Sequence, residues 1–172
     1  VWSGEGGQQY DGRLILPRDE DSVRQSAIQR RDQGLTAIAI ASIFSPIDTD
    51  HERRAAAIIS DEIPGAVITI WSDLGRIGLL ERENVALLNA ALSGRAVKTI
   101  NAFEAALHQG GINAPLYITQ NDGTVAEAAT AIRFPVYSFA SGATNSMRGA
   151  AYLSSINDAI VVDVGGTTTD IG

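Results

Sequence analysis

The chain has 172 residues, 45% of them hydrophobic and 19% charged, which is enough apolar content for a core and too much for a disordered tail. Thirteen lysines and arginines against twenty aspartates and glutamates give a net charge of −7 and a pI near 4.7. That balance argues against a phosphate-backbone binder and against an anionic membrane surface as partner. With no cysteine and only His51 and His108, disulfides, thiolate catalysis and multi-histidine metal sites are excluded as well.

No apolar run reaches the roughly 20 residues that span a bilayer, and no signal-peptide pattern opens the chain. The expectation is a cytoplasmic protein that binds neither nucleic acid nor membrane.

Asp19, Glu20 and Asp21 lead a polar stretch that ends in Arg30, Arg31 and Gly34, the charge order that complements a helix dipole. Leu35 to Ile43 is almost wholly apolar and predicts a strand buried on both faces. Thr49, Asp50, His51 and Glu52 match a capping box, and the helix they open places Ala55, Ile58, Ile59 and Ile63 on one face before Pro64 and Gly65. Asp48, Asp50, His51 and Glu52 also cluster as metal-ligand types, but the capping box accounts for them more simply. Ala66 to Ile70 follows as a strand.

From Ile77 to Gln109 the apolar positions Leu80, Leu87, Leu88, Leu92, Ile100, Phe103 and Leu107 recur at helical spacing. Gly94 is expected to divide this run into two helices, with Gly110 and Gly111 closing the second. Glu81, Arg82 and Glu83 read as a solvated face, and His108 as a surface residue near a helix end.

After Pro115 the strand–helix rhythm resumes. Leu116 to Thr119 is a strand, Asn121-Asp122-Gly123 a turn and Thr124 to Ala131 a short helix. Val136 to Ala140 is a strand, Ser141-Gly142 a turn, Thr144 to Ser155 a helix capped by Asn145 or Ser146, and Ala159 to Val164 a strand.

The chemistry concentrates in Asp163-Val164-Gly165-Gly166-Thr167-Thr168-Thr169-Asp170. A strand delivers a carboxylate, two glycines admit a ligand close to the backbone, and hydroxyls and a second carboxylate follow. Backbone N–H groups and threonine hydroxyls suit phosphate oxygens, and Asp163 suits hydrated Mg²⁺. The plainer reading is a hairpin whose Gly-Gly turn needs positive φ. Two weaker sites stand beside it. The helix start around Gly142, Asn145 and Arg148 suits an anion, with a capped core helix and a snorkelling Arg148 as the alternative. Asn121 and Asp122 lie beyond a strand's carboxyl end, where α/β sheets hold ligands, although an Asx-type turn explains them more simply. There is no Walker sequence, no G-x-G-x-x-G, no G-x-S-x-G and no H-E-x-x-H.

The Asp-X-Gly-Gly-Thr-X-Thr-Asp pattern resembles the phosphate hairpins of the actin, sugar-kinase and chaperone ATPase superfamily. FSPIDTDHE (44–52), GLLERENVALLNAAL (78–92), YITQNDGT (117–124), SGATNSMRGAAYL (141–153) and DAIVVDVGGTTTDIG (158–172) narrow this to a resemblance to the hydantoinase/oxoprolinase family, A-type subunit. Ala143 stands where that family usually has proline.

The resemblance implies a ribonuclease-H-like α/β lobe with a helical segment at about 77–109, and a division into residues 1–76 and 77–172. It implies an ATP- and Mg-dependent enzyme that activates a carbonyl oxygen to open a cyclic amide such as a hydantoin or 5-oxoproline. A B-type or other partner subunit and an oligomeric assembly go with it. A ketone-carboxylase subunit, or a non-catalytic nucleotide-binding module, is the alternative.

On this resemblance Asp163 and Asp170 are catalytic, with Asp163 also ordering Mg²⁺ through water. Gly165, Gly166, Thr167 and Thr168 face the nucleotide; from their placement in the sequence, Gly142 and Asn145 are expected beside the nucleotide and Asn121, Asp122 and Arg148 beside the substrate. The chain reads as an internal piece that lacks the first of two hairpins, so 1–172 alone is expected to turn over neither ATP nor a hydantoin.

Overall fold

The computed structural model describes residues 1–74, 80–156 and 158–172. They form a mixed α/β structure in two compact units, Val1–Gly94 and Arg95–Gly172.

In the first unit β1 (Gly7–Gln8) and β2 (Leu14–Leu16) make a short antiparallel pair. Helix α1 (Glu20–Asp32) starts as its charge order predicts. Asp19 caps it by accepting from the Ser22 N–H at 3.0 Å, and Arg30 and Arg31 fill its last turn. Gly34, at φ +72°, supplies the left-handed residue that ends the helix, its N–H donating to the Arg31 carbonyl.

Strand β3 (Ala37–Ile40), helix α2 (Asp50–Glu62) and strand β4 (Val67–Ile70) form a β–α–β crossover with parallel register from Ala37 opposite Val67 to Ile40 opposite Ile70. The core between α1 and α2 is Val23, Ala55 and Ile58, with Ile40 and Ile59 packed on it. At the surface Arg54 clamps Glu20 through two nitrogens at 2.8 and 2.9 Å, holding the Glu20 carboxyl below its usual range.

Two expectations fail here. Thr49 has helical backbone angles and no side-chain cap bond, so the capping box does not form. Glu52 turns inward instead, its carboxylate accepting from the Ser42 and Ser72 N–H groups. Those donors are half-buried, and their need for an acceptor outweighs the local cap.

The second correction concerns helix α3, which runs unbroken from Leu80 to Gln109. The start of the expected helix at 77–79 lies outside the described residues. A glycine in a helix interior costs about 1 kcal/mol relative to alanine, a weak penalty that an Ala/Leu-rich run absorbs. Gly94 accordingly stays outside the left-handed region. In the first unit α3 buries its small stripe, Ala86, Asn89, Ala90 and Ser93, while Leu87 and Leu88 face outward. Asn89 donates to the Thr69 hydroxyl at 3.1 Å, and the Ser93 hydroxyl donates to the Asn89 carbonyl.

In the second unit β5 (Tyr117–Thr119) and β6 (Val125–Glu127) form an antiparallel hairpin leading into helix α4 (Ala128–Arg133). Ile100, Ala128 and Ala131 make the core, with Leu116, Ile118 and Ile132 against it. The helix expected from Thr124 therefore begins four residues late. The turn at Gly123, φ +83°, reverses the chain, and residues 125–127 pair with β5 before helix can form.

The strand expected at Val136–Ala140 is a 3₁₀ turn, Pro135–Tyr137, because proline presets its φ and removes a ladder donor. Helix α5 spans Ser141–Ser154, three residues earlier than expected, with Ala140 left-handed at φ 56° before it and no side-chain cap. Strand β7 is only Val162–Val164 and pairs antiparallel with β8 (Thr169–Ile171). The parallel strand rhythm thus belongs to the first unit, and both ladders of the second are hairpins.

Candidate functional site

The β7–β8 hairpin sets Asp163 directly opposite Asp170, between the pairs Val162–Ile171 and Val164–Thr169. Residues directly opposite in an antiparallel ladder project to the same face, so both carboxylates stand on one side and the apolar side chains on the other. Like charges so placed repel unless a cation or a donor lies between them. Asp163 has one such donor: the Ser146 hydroxyl of α5 bonds its Oδ2 at 2.5 Å.

The glycines of the turn differ. The Gly165 N–H donates to the Thr168 carbonyl at 2.9 Å, and a Cβ at Gly165 would lie 3.1 Å from that same oxygen. A Cβ at Gly166 would meet nothing within 4 Å. Neither glycine has a left-handed φ, so the turn does not need glycine for the backbone reason considered above. Thr167 and Thr168 are exposed beside Gly166.

Helix α5 joins this hairpin to the β5–β6 turn. The Thr144 hydroxyl donates to the Asn121 carbonyl at 2.8 Å, and Asn145 Nδ2 donates to the Thr119 hydroxyl at 2.9 Å. Arg148 Nη1 donates to the Gly123 carbonyl. Asn145 and Ser146 are thus interior to the helix and cap nothing, because α5 begins upstream of them. Arg148 does not snorkel but lies over Gly123, where an added Cβ would sit 2.6 Å from the arginine Cδ. Gly142 lies exposed in the first turn of α5.

Asn121 is engaged with the framework. Its N–H donates to the Tyr137 carbonyl at 2.6 Å and its amide nitrogen to the Val136 and Phe139 carbonyls. Ser146 is the residue sequence reasoning misplaced, since its link to Asp163 spans two elements and carries no local signal.

Asp122 accepts from the Thr124 hydroxyl at 2.6 Å and the Thr124 N–H at 2.8 Å, and these bonds hold its carboxyl below the usual range. A depressed folded pKa contributes stability above the ordinary carboxylate value and loses it as pH falls through the lower folded one. Thr124→Val removes the larger cause, so the Asp122 pKa should rise toward its ordinary value. Carboxyl-carbon NMR titration of wild type and variant measures this directly.

Among the described residues no group of three or more His, Asp or Glu side chains gathers to hold a metal, and His51 with its acidic neighbours makes no such site. No helix of the described residues is long and apolar enough to cross a membrane.

The site is thus a hairpin presenting paired carboxylates and an open glycine on a mixed α/β frame. The chain belongs to the hydantoinase/oxoprolinase family. The hydantoinase/oxoprolinase profile matches residues 82–172, more than half of the chain, and the family's N-terminal region matches 2–63.

The caprolactamase subunit alpha of Pseudomonas jessenii is 26% identical over 165 residues, covering 94% of this chain and 24% of that protein. The acetophenone carboxylase gamma subunit of Aromatoleum aromaticum is 27% identical over 172 residues, covering 93% and 23%. Among solved structures, nucleotide-free acetone carboxylase, from work on ATP-dependent acetone carboxylation, superposes with TM-score 0.87 at 18% identity over 99% of this chain and 25% of its own. The ATP-dependent caprolactamase of P. jessenii gives 0.79 at 24% over 98% and 25%. The chain therefore spans about a quarter of the length of these relatives.

Proposed function

We propose that the chain is part of the ATP-using subunit of an enzyme that opens the ring of a cyclic amide of hydantoin, 5-oxoproline or lactam type. The carrying observation is the pairing of Asp163 with Asp170 on one face of a hairpin whose Gly166 leaves open space. Two carboxylates and neighbouring hydroxyls are hard oxygen donors of the kind Mg²⁺ takes, usually with water and phosphate oxygens completing its shell. When bound, Mg²⁺ would neutralise phosphate charge.

In this reading Asp163 and Asp170 hold hydrated Mg²⁺. The backbone at Gly165 and Gly166, with the Thr167 and Thr168 hydroxyls, lines the phosphate path. Ser146 fixes the Asp163 carboxylate, and Gly142 and Asn145 flank the nucleotide. Asn121, Asp122 and Arg148 form the substrate side, which α5 keeps in register with the hairpin. ATP drives activation of the ring carbonyl oxygen. A division near residue 76, a cytoplasmic setting and a B-type or other partner subunit in an oligomer belong to the same proposal. Relatives named as alpha and gamma subunits support the partner.

The second reading is a ketone-carboxylase subunit, supported by the likeness in sequence to an acetophenone carboxylase gamma subunit. Both chemistries call for phosphate-driven activation of a substrate oxygen. The test is ATP turnover by the whole protein with its partner subunit. Stimulation by 5-oxoproline, a hydantoin or a lactam is the expected result. Stimulation only by a ketone with bicarbonate would establish the carboxylase reading, and nucleotide binding without turnover would defeat both.

A further inference from the structure

The FSPIDTDHE stretch belongs to the first unit, and its Glu52 is completely buried, at 0% exposure. Among the described residues, both partners of this carboxylate are backbone N–H groups. Oε1 accepts from Ser42 at 2.8 Å and Oε2 from Ser72 at 2.9 Å. Ser42 follows β3, and Ser72 stands in the 3₁₀ turn Trp71–Leu74 that follows β4, so the two bonds reach the loop segments at the carboxyl ends of the parallel pair. That end of a parallel sheet is where α/β proteins place ligand-binding loops.

Burying a carboxylate without a cation among its hydrogen-bond partners is expensive, and placement in the first turn of α2 offsets only part of the cost. Only a side chain with two acceptors can serve two N–H donors arriving from different loops. Glutamine would turn a donor toward one of them, and aspartate is one methylene short.

The same loop is held from its other flank. Buried Gln8 donates through Nε2 to the Phe44 carbonyl at 3.0 Å and the Asp48 carbonyl at 2.9 Å. Between these clamps Phe44 sits at φ +60°, a conformation a bulky residue keeps only where its surroundings impose it.

We propose that Glu52 is a positioning residue whose two carboxylate oxygens lock the loops after β3 and β4 into one preorganised rim. The rim opens and closes as a single body, and Gln8 seats its outer edge. This goes beyond the ATPase reading and does not depend on it.

Hydrogen-exchange mass spectrometry on the whole protein tests it. In Glu52→Gln the amides of 41–47 and of 71–74 should both exchange at least tenfold faster, while those of α1 keep their wild-type rates. Faster exchange in one loop only, in neither, or equally throughout the first unit would overturn the clamp. If Glu52→Gln does not fold, the wild-type protein decides. Under increasing denaturant the two loops should open in one step with the same dependence, and separate openings would sink the proposal.

Discussion

Asp163→Asn in the whole protein should abolish ATP-dependent turnover, by at least about a hundredfold, while leaving the fold intact. The asparagine keeps an oxygen for the Ser146 hydroxyl, which now bonds Asp163 Oδ2 at 2.5 Å, so the link between α5 and β7 survives. The negative charge facing Asp170 across the ladder is lost. A hairpin that served only as structure would be relieved by the change, because it removes one of two like charges set side by side. The functional and the structural role therefore pull in opposite directions. A steady-state rate assay with a Mg²⁺ titration, read beside a thermal melt, separates them. Lost turnover with an unchanged or raised melting temperature is the expected outcome. Near-normal turnover with unaltered Mg²⁺ dependence would return Asp163 to a structural role.

What the sequence disclosed follows the range of the interactions involved. Helix α1 was legible because its signals are local: Asp19 caps Ser22, acidic residues lead, arginines close, and Gly34 turns the chain. The crossover from β3 through α2 to β4 was legible from apolar blocks of strand length between helical periods. The facing carboxylates were implicit in a seven-residue spacing around Gly-Gly.

Where tertiary contacts outweigh local preference, the reading failed. Glu52 has the right spacing for a capping box but serves two loops distant in sequence. The apolar positions of α3 recur at helical spacing, yet the first unit buries the small stripe through Ala86 and Ala90 and leaves Leu87 and Leu88 exposed. Residues 125–127 have no helix-breaking residue, and only the reversal at Gly123 commits them to β6. The same limit hid the site's connections, since the bonds from Thr144, Asn145, Ser146 and Arg148 all cross between elements.

Gly166→Ala should weaken binding of ATP·Mg²⁺ by the whole protein about tenfold or more while shifting the melting temperature little. The structure gives no conformational reason for glycine at this position. Its φ lies outside the left-handed region, and an added methyl would meet nothing within 4 Å. On backbone grounds alone the substitution should even stabilise slightly, because alanine leaves the unfolded chain fewer states to lose. A phosphate seated against this backbone changes the outcome, since the methyl would then occupy ligand space. A tenfold loss corresponds to about 1.4 kcal/mol of binding free energy.

Gly165→Ala is the internal comparison. Its Cβ would press on the Thr168 carbonyl at 3.1 Å whether or not a ligand is bound, so it should lower stability as well as affinity. Calorimetric titration beside thermal melts of both variants gives the two readouts. Unchanged affinity in Gly166→Ala would mean that the open space beside the glycine faces solvent and that the phosphate path runs elsewhere.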